Sequence, residues 1–283
     1  MQLSSKHREG KFLGAGATNL YYQSWHPDGE IRAIILIVHG LGAHSGIFDN
    51  LVEFLIANHY AVYGLDLRGH GRSPGQRGYI NNWSEFREDL RAFRRLIAAQ
   101  ESELPLFLLG QSLGGTIALD YILHYPGEFQ GLIAIAPALE VNISPVKLII
   151  GRILAKFLPR FTLNTGIDLA AGSRDLQVVA ASAQDSLRHS QGTARLATEF
   201  LRTVAWIKRE AAMLQVPLLI LHGGADRVTL PESSRLLFET ITFADKQKRE
   251  YPESYHELHN DLNYQEVLTD IEDWLEQHLN LVL

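Results

Sequence analysis

Apolar positions along this chain gather into short unbroken runs bounded by glycine or polar residues. They are "AIILIVHG" (33–40), "YAVYGLDL" (60–67), "PLFLLGQ" (105–111), "GLIAIAP" (131–137) and "VPLLILHGG" (216–224). Each is rich in Ile, Leu or Val with little alternation, which predicts strands buried on both faces, as in a parallel sheet. Helical spacing separates them. In "SEFREDLRAFRRLIAAQ" (84–100), Phe86, Leu90, Phe93 and Ile97 recur on one face, Ser84 offers a cap and acids fill the first turn. The more polar "TNLYYQSWHPDGEIRA" alternates and turns at Pro27-Asp28-Gly29, which predicts an antiparallel edge strand. Strands alternating with helices predict an α/β fold whose mostly parallel sheet is covered on both faces.

The rhythm breaks after Pro137. From Ala138 to about Trp206 no buried-strand pattern occurs, and helical stretches such as "SPVKLIIGRILAKFLPRF" (144–161) and "TARLATEFLRTVAWIKRE" (193–210) take its place. The expected organisation is a core domain of residues 1–139 and 206–283, with a helical cap inserted over 140–205. A chain of 283 residues accommodates one large domain with such an insertion. Its net charge of -6 argues against a nucleic-acid surface, and the absence of cysteine removes disulfides, thiolate catalysis and cysteine metal sites. The N-terminal segment lacks the apolar core of a signal peptide, and the apolar runs are far below the ~20 residues of a membrane span. Cytoplasmic residence is the default expectation.

One apolar run ends in chemistry. "LLGQSLGGT" (108–116) places Ser112 in a Gly-x-Ser-x-Gly sequence, between a predicted strand and a predicted helix. A serine at such a sharp turn adopts strained backbone angles, and side chains two residues before and after it would collide. Gly110 and Gly114 remove that obstacle. Ser112 then stands at a helix N-terminus, where the dipole and the Leu113 amide meet a developing oxyanion. "HGLGAHSG" (39–46) follows an earlier strand, and its His-Gly-x-Gly turn can present a second amide, that of Leu41.

A serine hydroxyl needs a general base. Of the 12 histidines, the choice follows chain order: serine, then acid, then histidine, on loops after successive strands. Asp226 follows the run ending near His222, at the strand edge where ligands bind in open α/β sheets. "KREYPESYHELHND" then runs from a short strand into a loop carrying His256, with His259 as the alternative base. An ionised Asp226 accepts hydrogen bonds only, so it can fix a histidine tautomer and stabilise the imidazolium. "HELH" lacks the i, i+4 spacing of H-E-x-x-H, so no metal is expected. His39, His70 and His222 sit just after strands and are expected to orient loops.

The stretches "VHGLGAHSG", "LDLRGHGRSPG", "RGYINNWSEFREDL", "GQSLGG", "LHGGADRV" and "SYHELH" together resemble the monoacylglycerol lipase and lysophospholipase group of serine α/β-hydrolases. The resemblance runs from about residue 18 to the C-terminus and is weakest in the insertion. It implies an α/β-hydrolase fold with a helical cap and no cofactor. It also implies nucleophile Ser112, acid Asp226, base His256, an oxyanion hole of the Leu41 and Leu113 amides, and His259 near the alcohol end of the site. One departure stands out. Where the family commonly reads H-G-x-G-E-H-S-G-R-Y, this chain has Ala43 for the glutamate and Ile47 for the arginine. An alcohol side made more apolar by Ala43 and Ile47 is expected to discriminate weakly between glyceryl and alkyl esters.

The expected reaction is hydrolysis of a single-chain acyl ester through an acyl-enzyme on Ser112. The alternatives are a thioesterase, an acyltransferase or a perhydrolase on the same residues. A non-catalytic binding protein of this fold would show a degenerate triad, whereas all three members are present. In the cap, Val146, Ile150, Ile153, Leu154 and Phe157 share a helical face opposite Arg152, Lys156 and Arg160. Packing of that face over the core competes with a substrate-binding role for Ile150, Ile153 and Phe157, or with transient contact to an anionic lipid surface.

Overall fold

Alternate residues of the buried runs point to opposite faces, and both faces are covered. The computed structural model describes residues 6–101, 104–140 and 145–279, with the side chains of 145–150 outside the described part. The eight-stranded sheet has the order β1-β2-β4-β3-β5-β6-β9-β10. Its strands are β1 (Lys6–Leu13), β2 (Asn19–His26), β3 (Ala33–Val38), β4 (Tyr60–Leu65), β5 (Leu106–Gln111), β6 (Gly131–Ile135), β9 (Leu218–Gly223) and β10 (Lys246–Tyr251). Every neighbouring pair from β4 to β10 is parallel, while β1–β2 and β2–β4 are antiparallel. This is the mostly parallel sheet, covered on both faces, that the unbroken apolar runs implied, and the α/β-hydrolase arrangement that the resemblance implied.

In β3, Ile34, Leu36 and Val38 pack toward α2 (Ser84–Gln100) and α3 (Leu113–His124). Ala33, Ile35 and Ile37 pack toward α1 (Asp49–Ala57) and α8 (Tyr264–Leu279). A strand sandwiched in this way has no polar face, which is why its sequence does not alternate.

One expectation changes at the sheet edge. The strand expected at the edge, β2, lies inside the sheet, and β1 forms the edge beyond it with Lys6 opposite His26. Only Phe12 of β1 is buried, so "KHREGKFL" carries no apolar period to betray a strand. An edge strand with charged side chains is also protected from pairing with other chains.

Between β6 and β9 lie α4 (Pro145–Phe157), β7 (Thr162–Asn164), α5 (Leu176–Gln184), β8 (Gln191–Thr193) and α6 (Ala194–Glu210). The strands β7 and β8 pair antiparallel, with Thr162 opposite Thr193. With three residues each, half of them exposed, they are too short and too polar for a strand pattern. Helix α6 runs across residue 205, and its Leu196 and Ile207 join the core cluster that contains Ile117 of α3. The helix α7 (Pro231–Thr240) follows β9 and leads back toward β10.

Candidate active site

Ser112 stands at the turn from β5 into α3 with φ 56° and ψ -120°, a conformation that side-chain-bearing residues rarely adopt. The turn closes around glycines. A Cβ on Gly110 would lie 2.4 Å from the carbonyl oxygen of Gly114, and one on Gly114 would lie 2.0 Å from that of Val38. Backbone bonds lock the strained residue in place: Ser112 N–H donates to the Ile135 carbonyl at 3.0 Å, and the Ser112 carbonyl accepts from Ala138 N–H at 3.1 Å. Leu113 is the first residue of α3, so its N–H has no intrahelical acceptor.

Asp226 sits on the loop after β9 and is buried. Its Oδ1 accepts from the N–H groups of Val228 at 2.7 Å and Thr229 at 3.0 Å, and its Oδ2 from Thr229 Oγ1 at 2.9 Å. Its Oδ2 also accepts from His256 Nδ1 at 2.7 Å. Burial alone would raise this carboxyl, but hydrogen bonds from His222 and His256 outweigh it and hold the pKa well below the usual carboxylate range. The loop is shaped by His222, whose Nε2 donates to the Thr229 carbonyl at 2.8 Å while Ser234 Oγ lies 2.7 Å from Nδ1.

With Nδ1 committed to Asp226, His256 leaves Nε2 as the nitrogen that can take a proton. The His256 loop is held from the cap, where Gly172 accepts from Glu257 N–H at 2.7 Å.

The loop after β3 is fixed by His39, which is fully buried. Leu67 N–H donates to its Nε2 at 3.0 Å, and its Nδ1 donates to the Gly40 carbonyl at 2.7 Å. Burial lowers the His39 pKa to about 3, so it stays neutral and keeps this tautomer. Gly42 has φ 72°, and its carbonyl accepts from His189 N–H of the cap at 2.9 Å. Asp66 ties the same loop to the next one, accepting from Ser45 N–H at 2.8 Å and Arg72 N–H at 2.8 Å.

Ser112, His256, Leu41 and Ala43 share one cavity of about 60 Å³ beneath cap residues Ile167, Leu169 and His189. That volume accommodates a few waters but not a long acyl chain. The other residues singled out from sequence lie elsewhere. Ile47 is half-buried, and its carbonyl accepts from Asn260 Nδ2 at 2.8 Å. His259 is fully buried and stacked on Phe48 with ring centroids 4.5 Å apart, away from the cavity lining. Burial lowers its pKa to about 4. Ile153 and Phe157 are 53% and 70% exposed and do not line the cavity, because their face of α4 turns to solvent rather than to Ser112. The Ile150 side chain lies outside the described residues. Among those residues no cluster of metal-ligating side chains occurs.

Sequence reasoning missed several residues that the fold delivers here. Thr229 braces both Asp226 and His256. Arg188 and Glu257 form an ion pair on the cavity wall. Glu257 was visible beside His256 in "SYHELH", but "DSLRHSQ" around Arg188 carries no periodic signal.

Comparison with known proteins places this geometry in context. Residues 29–263 match the family model described as serine aminopeptidase, S33. The chain is 34% identical over 280 residues to the monoacylglycerol lipase of Mycolicibacterium smegmatis, covering 98% of this chain and 100% of that protein. It is 31% identical over 271 residues to the monoglyceride lipase of Homo sapiens, covering 94% and 89%. The crystal structure of the monoacylglycerol lipase of Paleococcus ferrophilus superposes with a TM-score of 0.82 at 28% identity, covering 98% of this chain and 100% of that one.

Proposed function

The chain belongs to the serine aminopeptidase S33 family, a group of α/β-hydrolases, and is a serine carboxylic ester hydrolase; from that premise we propose that Ser112, Asp226 and His256 carry the reaction. The observation that supports this assignment best is the 2.7 Å bond from His256 to the buried Asp226, with His256 and the strained Ser112 facing one cavity. His256 takes the Ser112 proton as the hydroxyl attacks the ester carbonyl. The Asp226 carboxylate stabilises the resulting imidazolium. The amides of Leu41 and Leu113 bind the tetrahedral oxyanion, and each such donor is worth about 10²–10³-fold in kcat. His256 returns the proton to the leaving alcohol, and water then hydrolyses the acyl-enzyme by the same route.

The substrate class we propose is a single-chain acyl ester, in keeping with relatives named monoacylglycerol and monoglyceride lipase. The cavity is too small for such a chain, so the cap must shift to admit it. Exposed Ile153, Phe157, Leu158 and Phe161 lie beside exposed Arg152, Lys156 and Arg160 on the cap. This combination suits transient contact with an anionic lipid surface, from which a substrate would be drawn. No helix among the described residues is long and apolar enough to cross a membrane. Thioesterase, acyltransferase and perhydrolase readings are not favoured by these relatives.

The test is covalent labelling by a fluorophosphonate probe together with hydrolysis of a graded series of acyl esters. Labelling of wild type and not of the Ser112→Ala protein is expected. Equal labelling of both would remove Ser112 from the nucleophile's role.

A further inference from the structure

The loop that carries His256 runs from the end of β10 at Tyr251 to the start of α8 at Tyr264. The core holds its two flanks. Ala225 N–H donates to the Ser254 carbonyl at 3.1 Å, and Asn260 Nδ2 donates to the Ile47 carbonyl at 2.8 Å. Between those ties the main chain turns to the inserted segment 171–174. His256 N–H donates to the Ala171 carbonyl at 3.5 Å, and Glu257 N–H donates to that of Gly172 at 2.7 Å. Ser173 Oγ donates to the Asn260 carbonyl at 2.8 Å.

Arg174 and Asp261 close this arrangement. The Asp261 side chain is fully buried and draws the loop together. Its Oδ2 accepts from Tyr255 N–H at 2.8 Å, and its Oδ1 from Leu262 N–H at 2.9 Å. Arg174 meets the same carboxylate twice, its N–H donating to Oδ1 at 2.8 Å and its Nε to Oδ2 at 3.0 Å. Arg174 Nη2 donates to Asn263 Oδ1 at 2.7 Å, and Ser254 Oγ donates to that same oxygen at 2.6 Å. Its Nη1 reaches Glu253 at 3.2 Å, but the Glu253 side chain is 87% exposed, so solvent screens that contact. One guanidinium thus binds the loop on both sides of His256. Neither Arg174 nor Asp261 lines the cavity, so neither touches the substrate there.

We propose that Arg174 is a positioning residue for the reaction: acting through Asp261, it fixes the main chain of the base loop and so sets where His256 Nε2 stands. This rests on the role given above to His256. Asp226 and Thr229 hold the imidazole at Nδ1 alone. A ring held at one nitrogen still moves with its main chain, and a general base must stay within hydrogen-bond reach of the hydroxyl it deprotonates. A displacement of about 1 Å is enough to cost about 10²-fold in rate. The forked guanidinium on a carboxylate is the contact whose geometry resists such a displacement, and a lysine ammonium cannot reproduce it. By these bonds the 171–174 segment belongs with the sheet edge, although it lies within the insertion. The shift that admits an acyl chain then falls to the rest of the cap.

The experiment measures kcat/KM for p-nitrophenyl acetate and p-nitrophenyl octanoate. The variants are Arg174→Met and Arg174→Lys, each alone and in a His256→Ala background. Arg174→Met leaves Asp261 buried without its cation, so the melting temperature should fall as well. Rates are therefore read where circular dichroism shows every variant folded. Arg174→Met is expected to lower kcat/KM by about 10²-fold on both esters, because the base serves every substrate. Arg174→Lys keeps the charge without the fork and should lose about 10-fold. In the His256→Ala background neither substitution should lower the residual rate further, because the residue acts only through the base. A purely structural tie would not vanish with the imidazole. An unchanged rate in folded Arg174→Met, a loss confined to the octanoate, or an equal further loss without His256 overturns the proposal. Wild-type activity in His256→Ala alone would instead refute the assignment of the base. Should Arg174→Met fail to fold, Arg174→Lys in the two backgrounds still decides.

Discussion

The sheet edge that carries Ser112, Asp226 and His256 and the cap above it are built on opposite principles. At the sheet edge, the groups proposed to react and the loop beside them are pinned several times over. Ser112 is locked by backbone bonds to Ile135 and Ala138, Asp226 accepts from two amides and the Thr229 hydroxyl, and His39 is held in one tautomer at both nitrogens. In the cap, α4 carries Ile153 and Phe157 out into solvent, and β7 and β8 are three residues each. The two regions are tied by many hydrogen bonds, Arg174 to Asp261, Ser173 to Asn260 and Thr193 to Gly78 among them. His189 N–H reaches Gly42, His44 Nε2 donates to Asp185 Oδ2 at 2.7 Å, and Gly172 accepts from Glu257. Strain at Ser112 persists because the surroundings over-determine it, whereas a cap proposed to shift for an acyl chain cannot be fixed in that way.

Substitutions at the sheet edge should stop the reaction, and substitutions in the cap should change its substrates. The largest effect is expected from Ser112→Ala and His256→Ala, which should lower kcat by about 10⁴–10⁶-fold; Ser112→Ala should leave thermal stability unchanged, whereas His256→Ala strips the buried Asp226 of a partner and should lower it. His259→Ala should cost far less activity, because its ring packs on Phe48 outside the cavity. Equal losses at His256 and His259 would dissolve the assignment of the base.

Next in size is Gly114→Ala. The new Cβ would press on the Val38 carbonyl at 2.0 Å, and a backbone atom of a central strand cannot move aside. A stability loss of about 3 kcal/mol is expected from such overpacking, read as a shifted denaturant midpoint. Gly151→Ala in α4 meets no atom of the described residues within 4 Å and should be neutral or slightly stabilising. If both changes behave alike, the contrast in rigidity is wrong.

Acid should also act on the core first. His259 is neutral in the fold because burial lowers its pKa from 6.5 to about 4. The unfolded chain therefore binds its proton first as pH falls. The stability linked to this group is complete above about pH 6.5 and is lost on the way down to about pH 4. For one histidine the loss reaches about 2 kcal/mol by pH 5. Denaturant melts at pH 7 and pH 5 should show a smaller drop for His259→Phe than for wild type. An identical drop would mean that this ring is already charged or exposed.

The smallest effect is expected in the cap. Ile153→Asp with Phe157→Asp should leave hydrolysis of a soluble acetyl ester intact and lower activity on long-chain esters presented in anionic vesicles by about 10-fold, roughly 1.4 kcal/mol. Parallel loss of both activities with the melting temperature would show these side chains to be ordinary packing.

Legibility from sequence follows the same division. Runs such as "AIILIV" and "LFLLGQ" are readable because a strand covered on both faces must be apolar throughout, and helix α2 shows its apolar spacing openly. The edge strand β1 was missed, since a strand with a single buried side chain leaves no period. The Gly-x-Ser-x-Gly sequence could be read because its glycines answer a local steric demand within five residues. Asp226 and His256 could be named only from chain order and the family resemblance, for nothing local distinguishes them from a turn aspartate and a loop histidine.

What the sequence determined by itself was therefore whatever depends on near neighbours: the buried strands, the amphipathic helices, the serine turn and the break in rhythm that marks the insertion. Tertiary structure alone decided which distant groups meet. It set Thr229 against His256, turned His259 onto Phe48, sent Phe157 into solvent, and brought Arg188 of the cap to Glu257 across 69 positions of chain. An ion pair on a cavity wall depends on side chains from two loops arriving at one point, and neither loop's own sequence encodes where the other will be.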